Sequence, residues 1–118
     1  SRVSMFYSLK VNDDAKAEWK DHYLAYTKGA KASKGHVNVS HSYNEETREV
    51  ICIETITGKD AMSNHIGNCL PHYAQMLGCG VVMQEIICVC DPAEMDWFKA
   101  SLAAWQPERL ICTPDHCP

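Results

Sequence analysis

From Val3 to Val11 apolar and polar residues alternate, with Met5, Tyr7, Leu9 and Val11 on one side, Ser4, Ser8 and Lys10 on the other, and Phe6 out of step. That period of two predicts a first strand. Behind it Asn12, Asp13 and Asp14 offer N-capping side chains, and Ala15, Trp19, His22, Tyr23, Tyr26 and Ala30 recur at helical spacing. A long amphipathic helix is expected, closing in the Lys-rich KGAKASKG around Gly35. His36 to Tyr43 alternates again, placing Val37, Val39, His41 and Tyr43 on one face and His36, Asn38, Ser40 and Ser42 on the other. The polar loop NEETR leads to a strand over Glu49 to Thr57, and the two strands should form a hairpin. Lys59 to Asn68 reads as a short helix, with Pro71 opening a second helical segment that Gly78 and Gly80 end. Val81 to Cys90 reads as a central strand buried on both faces. Asp91 and Pro92 then start a helix carrying Trp97, Leu102 and Trp105, and Arg109 to Thr113 forms a last short strand.

This order predicts a ferredoxin-like α+β fold, an antiparallel sheet with helices on one face and a C-terminal α-β extension, in a single domain spanning 1–118. The uncovered face needs a partner, and a second copy is the simplest one. Lys and Arg number 11 against 15 Asp and Glu, with no basic run, so no nucleic-acid partner is expected. No apolar stretch approaches the ~20 residues that cross a bilayer, and SRVSMFYSLKVNDD has no signal-peptide pattern, so no membrane partner and a cytoplasmic location are expected. Seven cysteines, an odd number placed mostly inside apolar runs, point to reduced thiols.

The hairpin HVNVSHSYNEETREVICIET, the acid Glu54 near the end of its second strand, and the segment GKDAMSNHIGNCLPHY together resemble the dimeric α+β barrel superfamily, within it the antibiotic biosynthesis monooxygenase (ABM)-like domains. PAEMDWFKASLAAWQPERLI is similar to the C-terminal α-β appendage of some relatives. The resemblance implies a homodimer with a pocket in each subunit between sheet and helices. In some members it implies oxygenation of aromatic or quinol substrates without metal or flavin, and in others haem degradation. Several catalytic members carry a tryptophan just beyond the acid of this strand, where this chain has Thr55 and Ile56.

Imidazole titrates nearest to working pH, which makes His65 a candidate base or oxyanion partner at the pocket mouth and His72 a weaker one. His22 shares the helix stripe of Trp19, Tyr23 and Tyr26 and should point toward the sheet. Glu54, on a face with Val50, Cys52 and Ile56, should have a raised pKa unless a cation or hydrogen-bond donor meets it. Glu85 reads as equally deep, so Glu54, Glu85 and His41 are expected to form a polar cluster inside an apolar sheet. The expected catalytic set is therefore His65, His41, Glu54 and His22, with Trp19, Tyr23, Asn38, His72 and Glu85 as ligand contacts.

Cys88, Cys90, Cys112, His116 and Cys117 are soft ligand types without zinc-ribbon spacing, so no metal is expected, and no cofactor either. Cys69 and Cys79 are the candidate reactive thiols, and Cys112 or Cys117 the candidates for a disulfide. The leading expectation is a cofactor-independent monooxygenase-like enzyme acting on a small aromatic, quinol or polyketide-like molecule. Its rival is a non-catalytic ligand-binding or stress-response barrel protein, and a haem binder is a third possibility.

Overall fold

The computed structural model describes residues 2–117. Strand β1 (Val3–Val11) buries Val3, Met5, Tyr7, Leu9 and Val11 and turns the residues between them outward. Helix α1 (Trp19–Ala32) follows, then the hairpin β2 (His36–Asn44) and β3 (Glu49–Ile56), helix α2 (Lys59–Gly78) and strand β4 (Val81–Cys90). A 3-10 turn (Pro92–Glu94), helix α3 (Met95–Ala103) and strand β5 (Arg109–Pro114) are the last elements among the described residues. The five strands form one open sheet in the order β2-β3-β1-β4-β5. β1 lies antiparallel between β3 and β4, which is the ferredoxin-like arrangement, and β5 adds to the β4 edge in parallel through α3.

The core lies between one sheet face and the helices. Trp19, Tyr23, Tyr26 and Ala30 of α1 and Ala61, Met62, His65, Cys69, Tyr73 and Met76 of α2 are buried at the three- and four-residue spacing of a helix face. α3 adds Phe98 and Leu102, followed by buried Trp105. The opposite sheet face is bare. On it Ile53, Phe6, Ile87 and Ile111 stand side by side across four strands, and Phe6 keeps 46% of its surface exposed.

Four details depart from the sequence pattern. α1 begins at Trp19, because residues 12–18 are held as a turn by Asn12 N–H donating to Gly80 O (3.0 Å) and Lys16 N–H to Cys79 O (2.8 Å). α2 is one continuous helix with Pro71 inside it. Pro71 is exposed, so the hydrogen bond its nitrogen cannot make is lost on the wet side of the helix. The other two departures are irregularities of strand pairing. The β2–β3 register shifts between His36 and Asn38, and the β1–β4 register shifts between Ser8 and Leu9. Since side chains alternate strictly along a strand, one extra residue moves those beyond it to the other face.

Candidate functional site

Glu54 sits near the end of β3 with its side chain among the helices, wholly buried. Its neighbours come from four elements. From β1, the Tyr7 hydroxyl donates a very short bond to Oε2. From β2, His41 Nε2 lies 2.8 Å from Oε2 and His36 Nε2 3.0 Å from Oε1. From α2, His65 Nε2 approaches Oε1 at 3.8 Å, close enough for charge but beyond hydrogen-bond length. From α1, the Tyr26 hydroxyl bonds that of Tyr7 at 2.7 Å, and Thr27 Oγ1 meets His41 Nδ1 at 2.8 Å, fixing the orientation of that ring.

Local sequence explains each position. His41 and Glu54 point inward with the regular alternation of the hairpin, Val39 opposite Glu54 and His41 opposite Cys52. His36, one residue out of phase with an unbroken strand, joins them because the register shift at Val37 turns it back toward the helices. Gly35, just before it, has φ 84°, and a Cβ there would stand 2.6 Å from Ala61 Cβ, so β2 starts tight against α2. His65 falls on the buried stripe of α2 one turn after Ala61 and Met62.

Burial alone would raise the Glu54 carboxyl, but the His36 and His41 hydrogen bonds, and then the charges the histidines can carry, outweigh it and hold the group well below the usual carboxylate range. The His65 imidazole is pulled the other way. Burial lowers it most, the neighbouring His36 and His41 lower it further, and the attraction of Glu54 only partly offsets them, leaving it at about 4. His65 is therefore neutral at pH 7, and the bonds from His36, His41 and Tyr7, rather than a charge on His65, keep Glu54 ionised. Burial, followed by neighbouring ionisable groups that include Glu54, raises the Tyr7 and Tyr26 hydroxyls well above the phenol range, so both stay protonated.

Beside this cluster lies a small cavity lined by Tyr7, Tyr26 and His65, by apolar side chains that include Met62 and Met83, and by Leu102 and Trp105 of the C-terminal extension. Its volume is about 10 Å³, room for about one water. His65 Nδ1 and His36 Nδ1 are buried without a hydrogen-bond partner among the described residues. For His65, with Nε2 facing Glu54, that leaves an unused nitrogen on a ring that walls the cavity. The arrangement can therefore hold a neutral imidazole against an ionised carboxylate at an apolar pocket, the elements of general acid–base chemistry.

His36, Glu54 and His65 also bring two imidazole nitrogens and a carboxylate oxygen within 4.8 Å of one another, a donor set that divalent cations accept. The fit is imperfect. Metal-bound histidines donate their second N–H to a partner, which His36 and His65 lack, while Oε2 is already engaged by Tyr7 and His41.

Of the residues singled out in the sequence, His65, His41 and Glu54 come together here. His22 is half-buried on α1 and makes none of the cluster's hydrogen bonds. Trp19 and Tyr23 are buried, Trp19 packing edge-on against Tyr43 at 4.8 Å between ring centres, but neither lines the cavity. Asn38 is exposed, opposite Thr55 on the bare sheet face. His72 lies in an outer groove between α1 and α2 with Lys28 and Asn68. Glu85 is not a second deep carboxylate: the register shift in β4 sets it opposite Ser8 on the bare face, where it pairs with Arg109 at 3.3 Å.

Tyr7, Tyr26, Thr27 and His36 belong to the cluster without having been singled out. The two tyrosines lie on the predicted core faces of their elements, and the one hint for His36 is the glycine before it. All seven cysteines are free thiols, and burial pushes Cys69 up to about 12, which removes it as a reactive thiol.

No protein-family model and no curated protein sequence matches the chain. Solved structures do. MupZ from Pseudomonas fluorescens superposes with a TM-score of 0.74 at 13% identity, over 99% of this chain and 88% of its own. SnoaB, a cofactor-independent oxygenase from Streptomyces nogalater, superposes with a TM-score of 0.57 at 18% identity, over 74% of this chain and 89% of its own. A proposed antibiotic biosynthesis monooxygenase from Caulobacter crescentus CB15 gives a TM-score of 0.57 at 19% identity, over 70% of this chain and 85% of its own. The fold expected from the hairpin and the short helix is thus the fold found, that of the ABM-like α+β proteins, with the sheet of the single chain left open.

Proposed function

We propose that this chain, with the fold of the ABM-like domains, is a small-molecule enzyme of the cofactor-independent monooxygenase type that works as a homodimer. The observation that carries the reading is the Glu54–His65 pair at the wall of an apolar cavity, with His65 neutral and its Nδ1 unused. A phenol or enol placed there would donate its O–H to Nδ1, while Glu54 holds the opposite side of the ring as the imidazole gains charge.

Magnitudes limit the substrate. An imidazole at about 4 facing a phenol near 10 makes proton transfer uphill by roughly six units, about 8 kcal/mol. That fits inside the ~16 kcal/mol barrier of a reaction at ten turnovers per second. More acidic enols are correspondingly easier. The resulting carbanion-like species reacts with dioxygen at the ring or enol carbon that carries the charge. One oxygen atom stays there as a new carbonyl, and the other leaves as water with that carbon's hydrogen and the hydroxyl proton.

The bare sheet face supports the dimer, since Phe6, Ile51 and Ile53 form an exposed apolar patch on a face that a second sheet would cover at ~10 Å spacing. The test is oxygen uptake with a panel of hydroquinones, enols and anthrones, with product analysis for one incorporated oxygen. His65→Ala should lower turnover at least tenfold with the protein still folded; unchanged turnover would remove His65 as the base. The saturation of Glu54 by donors favours one other reading, a binding protein in which the cluster is structural, and saturable phenol binding without oxygen uptake would select it.

A further inference from the structure

We infer that the C-terminal extension sets the size of this pocket and that Trp105 is its specificity-determining residue, admitting one-ring or acyclic phenols and enols and excluding fused-ring ones. The inference rests on the acid–base reading of the cluster and names the substrate class of that same site. The Trp105 indole lies 5.6 Å from the His65 ring at an interplanar angle of 32° and stands edge-on to Tyr26 at 6.2 Å. That is the position in which the ring of an aromatic ligand would stack on the base, so the protein's own indole occupies the space where a second or third ring would extend.

Trp105 is fixed there. Its carbonyl accepts from the Tyr73 hydroxyl at 2.5 Å, its N–H donates to Leu102 O at 3.1 Å, and its ring packs on Tyr73 at 4.8 Å. The next residue, Gln106, takes φ 52° and donates its N–H to Ala103 O at 3.0 Å, a left-handed turn that pins the backbone behind the indole. The other walls are softer. Met5, Met62 and Met83 face the cavity, and unbranched thioethers repack at low cost. A dry cavity of 150 Å³ takes a benzene, so about 10 Å³ must grow before one ring enters. Movement of three methionines supplies that growth, whereas a fused three-ring molecule needs the indole itself gone.

The test compares wild type, Trp105→Ala and Trp105→Phe in two measurements. In oxygen-uptake kinetics with hydroquinone and anthrone, Trp105→Ala should raise kcat/KM for anthrone at least tenfold relative to hydroquinone, with Trp105→Phe between the two. In calorimetry with phenol and 2-naphthol, the alanine variant should bind naphthol at least tenfold tighter than wild type while phenol changes less than threefold. Unchanged ratios in a folded variant overturn the role of Trp105. If no variant turns over either substrate, the oxygenase reading fails by itself, and the naphthol-to-phenol binding ratio decides the Trp105 inference alone. Should the alanine variant not fold, the phenylalanine variant decides, with at least a threefold shift expected.

Discussion

A carboxylate without exposed surface survives as an anion only if donors replace the water it has lost, and Glu54 has two histidine N–H groups and a tyrosine hydroxyl doing so. Stability is then linked to pH. The folded-state pKa of Glu54 is depressed, so its contribution is present above the unfolded value near 4.3 and is lost as pH falls toward the folded one. His65 falls from 6.5 to about 4 on folding. Between those values the unfolded chain binds the proton more tightly, and stability again drops on acidification, by up to about 3 kcal/mol. Both act in the same direction. The urea midpoint should therefore decline steadily from pH 7 to pH 4, and His65→Gln should flatten the part of that decline above pH 5. A midpoint independent of pH would contradict the burial and pairing described for both groups.

Among the elements, the start of β2 is the most constrained. Gly35 combines φ 84° with a would-be Cβ at 2.6 Å from Ala61 and 2.7 Å from Thr57 Oγ1. Gly35→Ala should cost about 2 kcal/mol in denaturant unfolding through left-handed strain and that overlap together, and it should displace His36 from Glu54. A loss under about 0.5 kcal/mol would mean that the two elements part easily.

The same segment shows what a sequence discloses and what it hides. Strand and helix periodicity placed β1, the hairpin, α3 and β5 closely, and put His41, Glu54 and His65 on inward faces, because alternation and helical spacing are local. The irregularities at Val37 and at Ser8 are settled by pairing with a distant strand, so alternation alone puts His36 on the wrong face and Glu85 at a depth it does not have. Pro71 suggested a break because its missing N–H is a local cost, yet burial of Cys69, Tyr73 and Met76 carries the helix through it.

At the scale of the molecule, one sheet face is sealed and the other carries a band of Ile53, Phe6, Ile87 and Ile111, widened by Ile51 and Val89. A monomer that left this band in water would forgo roughly 25 cal/mol for each Å² it could bury. Phe6→Lys combined with Ile53→Lys should shift the chain to half its native mass in sedimentation with helical content intact. A wild type that already sediments as a monomer at micromolar concentration would remove the proposed partner. One further consequence follows from where β2 lies. It is the outermost strand on its side of the sheet, bonded to β3 alone, and margins of this kind ordinarily fray first. Here peeling would withdraw both histidines at once and maroon an anion in oil. The cluster thus acts as a rivet through the weakest seam, and the rim that should breathe most freely is tied to the cooperative unfolding of the whole.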